Sequence, residues 1–177
     1  RMKFFKKAPE TEKIIKSLKG NSDVYLVPAF TGLGAPYWDS NSRGVLSGLT
    51  RDTGPKEIIR ATVESVAYQT HDLFEAMKHD GLRPRLVKVD GGMVMNNWFS
   101  QFLSDVVNVG VLRPKVQETT ALGAAFMAGL QIGVYKSLSD ISKNWPLDKK
   151  FSPKMKNNNR AKLLKGWSKA IKRTLIN

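Results

Sequence analysis

Asp90, Gly91, Gly92 and Asn96 stand together in LVKVDGGMVMNN, residues 86 to 97, at the end of a short apolar run. The run reads as a strand, the glycine pair as a turn of bare backbone, and Asn96 or Asn97 as the cap of a following helix. In open α/β sheets ligands lie just outside the carboxyl ends of strands, and a turn without side chains lets backbone N–H groups approach a nucleotide closely. The chemistry this spacing suits is therefore nucleotide binding. A glycine pair after a strand also serves as plain turn chemistry, so the segment gains weight from its neighbours. Neither GxxxxGK[ST] nor GxGxxG occurs, so no P-loop or dinucleotide fold competes with it.

The elements around this turn read as α/β. Val24 to Val27 form a strand that stops at Pro28, and a Gly-rich aromatic loop leads to a second strand at Gly44 to Leu49. Thr53, Gly54 and Pro55, with Glu57 in the first turn, start a helix that runs to about Asp80. Its residues Ile59, Val63, Val66, Thr70, Leu73 and Met77 recur at helical steps and are expected on the core face. Leu86 to Val89, a helix to about Asn108, and Val109 to Leu112 make a βαβ crossover with parallel strands. Glu118 to Thr120 then open a helix, ALGAAFMAGL, whose small residues predict tight packing of a buried element. A basic amphipathic helix from Asn157 to Leu175 places Leu163, Leu164, Trp167, Ala170, Ile171 and Leu175 on one side, and docking on its own domain is expected.

The chain has 177 residues, a length that suits one domain and buries about 70% of the unfolded surface. There is no cysteine, which removes disulfides and thiolate chemistry. The net charge is +14, but it sits at the ends: +5 over residues 1 to 20, +10 over residues 141 to 177, and −1 over the rest. With no recognition-helix, RNA-binding or basic-zipper pattern, no nucleic-acid partner is expected. No stretch approaches the roughly 20 apolar residues that span a bilayer, so a cytoplasmic chain without membrane insertion is expected. His71 and His79 read as members of a solvated helix face, not as metal ligands. The opening RMKFFKKAPETEKIIKSL is helix-like and has no recognisable beginning, which suggests a piece of a longer chain.

The residues also carry a resemblance. VPAFTGLGAPYWDSNSRG (27 to 44), the following GVLSGL, Glu57-Ile58 and Ala61 to Glu64 resemble segments of the FGGY carbohydrate kinase family, on its glycerol-phosphorylating branch. LVKVDGGMVMNN resembles the adenosine motif of actin-like ATPases, and ETTALGAA the segment after it. The resemblance implies a ribonuclease H-like α/β domain of the actin, hexokinase and chaperone ATPase superfamily, with a mixed sheet flanked by helices. It implies a single C-terminal nucleotide-binding domain with a core at about 22 to 135, a helical basic extension at about 136 to 177, and an N-terminal kinase domain not in this chain. It implies ATP and Mg2+ as cofactors, glycerol as the acceptor held mainly by the other domain, and assembly as a homo-oligomer.

By the family's pattern Gly92 and Asn96 hold the adenosine part of ATP or ADP, Gly91 and Met93 line the same turn, and Ala8 can touch adenine. Asp90 is expected to orient the glycine turn through its backbone N–H groups. Phe30, Tyr37 and Trp38 are expected to pack and stiffen their loop, and Glu64 to serve a structural hydrogen bond or salt bridge. No catalytic residue and no metal ligand is expected here, since the carboxylate that accepts the hydroxyl proton, the phosphate loops and the polyol grip lie upstream in the family. The isolated piece is then expected to be inactive. Two alternatives remain at this point: another FGGY kinase, for xylulose or another polyol, and a non-catalytic actin-like nucleotide-binding module.

Overall fold

A computed structural model describes residues 4–20, 23–116, 118–143 and 146–175; Arg1 to Lys3 of the basic opening and Ser22 at the expected core boundary lie outside them. The chain runs α1 (Glu10–Lys16), β1 (Tyr25–Val27), β2 (Val45–Ser47), α2 (Pro55–His79), β3 (Leu86–Lys88), a 3-10 turn (Gly92–Met95), α3 (Asn97–Val107), β4 (Gly110–Pro114), α4 (Thr119–Gln131), α5 (Leu138–Lys143), β5 (Leu147–Phe151) and α6 (Asn157–Thr174). β1 and β2 form an antiparallel ribbon. β3 and β4 pair in parallel across the α3 crossover, with Val87 opposite Val111. β5 adds antiparallel to the far side of β4, so this sheet is mixed.

The core gathers where α2 crosses α3, α6 and β1. Tyr68 of α2 lies at its centre, stacked on Trp167 at 5.2 Å and edge-on to Phe102 at 5.6 Å. α6 docks through Leu163, Trp167, Ala170 and Ile171, all buried, and the Trp167 indole N–H donates to Asp72 Oδ2 at 2.6 Å. The Tyr37 hydroxyl donates to that same oxygen at 2.8 Å, so one carboxylate on α2 ties the aromatic loop and the last helix together.

Three expectations change. On α2, Val66 and Leu73 are exposed, while the row Arg60, Glu64 and Tyr68 is buried. Polar residues can occupy a core face when they satisfy one another. Arg60 Nε donates to Glu64 Oε1 at 2.6 Å and the Tyr68 hydroxyl to Glu64 Oε2 at 3.1 Å. Burial pushes the Glu64 carboxyl above the usual carboxylate range, opposed by the charge and hydrogen bond of Arg60 and by the Tyr68 hydroxyl. α4 is apolar in composition, yet Gly129 is its one buried residue and Met127 is 53% exposed, because no described element packs along it. The basic extension is not helical throughout: LDKKF is strand β5, with only Phe151 buried. It lacks an apolar alternation because its stability comes from pairing with β4 and not from a buried face.

Candidate functional site

The turn after β3 is built by backbone geometry and then clamped from behind. Gly91 has φ +85°, a left-handed conformation that glycine adopts without strain, and Gly92 opens the 3-10 turn in the space that follows. Val94 points inward and is buried. Its carbonyl accepts from the Ser100 hydroxyl at 2.8 Å and from Arg113 Nη1 at 2.9 Å. Arg113 is a buried residue of β4 whose Nε donates to Asp148 Oδ2 of β5 at 2.7 Å. Two strands thus hold the turn in place.

Asn96 ends the turn and caps α3, its Oδ1 accepting from the Phe99 N–H at 3.0 Å. Its Nδ2 donates weakly to Thr11 Oγ1 at 3.4 Å, and the Thr11 hydroxyl donates to the Ala8 carbonyl at 2.7 Å. This chain of contacts draws the start of α1 against the turn. Between them opens a cavity of about 470 Å³ to which Ala8, Pro9, Val63, Gly92, Met93 and Asn96 contribute. Four of the five residues singled out from sequence meet here; Gly91 lies just outside the lining, exposed at the head of the turn. A Cβ on Gly92 would meet nothing within 4 Å, so the glycine is not required by the fold's own packing.

Glu12 also borders this cavity, and sequence reading missed it. Its carboxylate accepts from the Asn97 N–H at 3.2 Å and from Lys16 Nζ at 2.5 Å. Burial alone would raise its carboxyl, but those hydrogen bonds and the Lys16 charge outweigh it and hold the group below the usual range. Glu12 is thus an anion at neutral pH. Such a wall accepts hydrogen bonds from hydroxyl or amino donors and repels phosphate.

The model of the C-terminal domain of the FGGY family of carbohydrate kinases matches residues 5–132. The chain belongs to that family. This FGGY domain is 52% identical over 172 residues to glycerol kinase 1 of Pseudomonas aeruginosa, covering 97% of this chain and 35% of that protein. It is 50% identical over 175 residues to a glycerol kinase of Clostridium botulinum, covering 98% of the chain and again 35% of the relative. The chain therefore spans about a third of the length of these curated relatives. Among solved structures it superposes on Plasmodium falciparum glycerol kinase with ADP, at 35% identity and a TM-score of 0.86, over 99% of this chain and 35% of that one. A xylulose kinase of Lactobacillus acidophilus follows the same fold at 24% identity and a TM-score of 0.77, over 98% of this chain and 36% of that one. The fold is the actin- and hexokinase-like ATPase α/β fold, a mixed sheet flanked by helices.

Within the FGGY domain the other conspicuous residues fall elsewhere. Asp90 accepts from the Thr119 hydroxyl at the first turn of α4, so among the described residues it ties β3 to α4 and does not bond the glycine turn. Phe30 and Trp38 are 72% and 79% exposed, and of the three loop aromatics only Tyr37 packs as expected. His71 is not on a solvated face: its side chain is 17% exposed, 3.6 Å from Asp72 and 3.5 Å from Glu75. Among the described residues no group of three or more His, Asp or Glu side chains comes together to hold a metal ion. The described residues by themselves therefore form no all-protein Mg2+ cage. No helix among the described residues is long and apolar enough to cross a membrane.

Proposed function

We propose that the protein to which this domain belongs transfers the γ-phosphoryl group of MgATP to a terminal hydroxyl of glycerol, giving glycerol 3-phosphate, and that this chain supplies the adenosine side of the ATP site. The observation that carries this reading is the cavity in which Ala8, Gly92, Met93 and Asn96 converge. Its walls are largely apolar, as a purine face requires, and its volume lies within the ordinary range for small-molecule sites. The ionised Glu12 suits ribose hydroxyls or an exocyclic amine and disfavours phosphate, so the nucleoside end enters and the phosphates point out toward the polyol. Gly92 and Asn96 then line the nucleoside, with Gly91 and Met93 shaping the turn.

Glycerol is favoured over a pentulose because the glycerol kinase fold with ADP is the more similar of the two, at 35% identity against 24%. The test is ADP release by the full-length protein with MgATP, given glycerol, xylulose or no acceptor. Release that depends on glycerol supports the reading. Turnover with xylulose alone shifts it to another FGGY kinase, and release with neither acceptor, despite ADP binding, points to a nucleotide-switched module.

A further inference from the structure

The groove between α6 and the β1–β2 ribbon has no part in the reading above, and it shares no lining residue with the Gly92 cavity. We propose that it is a second binding site, for a small phosphate-bearing anion. The groove encloses about 420 Å³, a volume suited to a small phosphorylated molecule. One wall is a ladder of cations, Lys165, Lys169 and Arg173, set on successive turns of α6, about 6 Å apart along the helix. Like charges at this spacing repel, and an anion between them relieves the repulsion. Lys162, at the end of the same stripe, lies 3.6 Å from Asp23, the single acid of the groove. Among the described residues the other three cations have no carboxylate within ion-pair distance.

A second observation points to a ligand. Tyr25 is only 6% exposed, and its hydroxyl rests against the bare backbone of Gly166 in the groove. Most of the ring is covered, but the hydroxyl itself opens onto the groove, and among the described residues it has no hydrogen-bond partner, so it is free to donate to a bound molecule. Burial, together with the Glu64 and Asp23 carboxylates, pushes Tyr25 up to about 12, so at neutral pH it is a donor. A ladder of cations beside an O–H donor that faces the groove matches phosphate, whose oxygens take a forked pair of hydrogen bonds from arginine, point charges from lysine and a further bond from a hydroxyl.

Calorimetric titration of the protein with inorganic phosphate, pyrophosphate and tripolyphosphate tests the site and distinguishes its sources. One equivalent should bind, undisplaced by saturating ADP. Lys169→Gln should weaken binding at least tenfold. Tyr25→Phe, which leaves the net charge unchanged, should weaken it several-fold. Lys172→Gln, on α6 but outside the groove, should change it less than twofold. A preference for pyrophosphate or tripolyphosphate over inorganic phosphate would assign the site to a multiply phosphorylated molecule, and the reverse order to phosphate itself. No binding, or equal losses at Lys169 and Lys172 with none at Tyr25, would overturn the site and leave only a diffuse basic surface.

Discussion

Arg113 and Val94 are 19 residues apart in sequence, and the guanidinium of the first donates to the carbonyl of the second at 2.9 Å, both residues being buried. The same guanidinium spans from Asp148 on β5 to the side chain of Asn97 at the head of α3. The position of the Gly92–Met95 turn is therefore set by a strand residue that does not line the cavity. Arg113→Met should lower stability by about 2 kcal/mol, the order of a charged hydrogen bond lost from a buried site. It should also weaken ADP binding several-fold. Thermal unfolding and ADP titration of the same variant check this, and unchanged ADP affinity would reduce Arg113 to a structural role.

Gly92→Val separates the fold from the ligand. The site of its Cβ is open and its backbone is not left-handed, so the folded domain should keep its melting temperature within a few degrees. If the nucleoside lies against this turn, the branched side chain blocks its approach and ADP affinity falls at least tenfold. Equal ADP affinity in variant and parent would remove Gly92 from the site.

Asn96 does two jobs that different substitutions pull apart. Asn96→Ala loses the cap of α3 and should cost about 1 kcal/mol. Asn96→Asp keeps an oxygen for the Phe99 N–H and should leave stability close to the parent, yet it removes the amide donor and adds a negative charge beside a phosphorylated ligand. ADP binding measured on both should fall more in Asn96→Asp than stability does.

Gly166→Ala sets two opposed effects against each other. Alanine favours a helix interior over glycine by about 1 kcal/mol. Here the new methyl would overlap the phenol of Tyr25, a buried ring tilted against Tyr68 at 5.8 Å with little room to retreat. Overpacking of this kind costs about 1–3 kcal/mol, so the net change should be destabilising, read as a lower denaturant midpoint. A stabilised variant would show that the ring moves freely.

The tyrosines set an alkaline limit. Tyr25 is raised from 10.0 to about 12, chiefly by burial, and Tyr37 and Tyr68 are raised further. Above pH 10 the unfolded chain sheds protons that these folded hydroxyls keep. The contribution of Tyr25 is complete below pH 10 and is lost as pH rises through about 12, while those of Tyr37 and Tyr68 are lost only at higher pH, each at ~1.4 kcal/mol per pH unit per proton. Tyr25→Phe should flatten this fall by one proton, measured by denaturation at several alkaline pH values together with phenolate absorbance.

Local chemistry was legible from the chain. A strand, a glycine pair and an asparagine cap specify each other through φ, side-chain bulk and orphan helix N–H groups, so the turn at 91–96 could be read from LVKVDGGMVMNN, and the parallel crossover from that segment together with the helix to about Asn108 and the apolar run Val109 to Leu112. The docking of α6 was legible for the same kind of reason, since its apolar stripe has helical period. What could not be read were relations between distant segments. Arg113, Asp148 and Glu12 look like surface charges in sequence, and only the pairing of β4 with β5 and the approach of α1 turn them into a clamp and a cavity wall. LDKKF became a strand because β4 offered it hydrogen bonds, and Arg60 and Glu64 became core residues because each satisfies the other. The amino-acid sequence by itself determined the backbone of the turn and the family of the fold; the tertiary structure alone decided which charges surround it, because charge placement depends on through-space pairing that no local periodicity encodes.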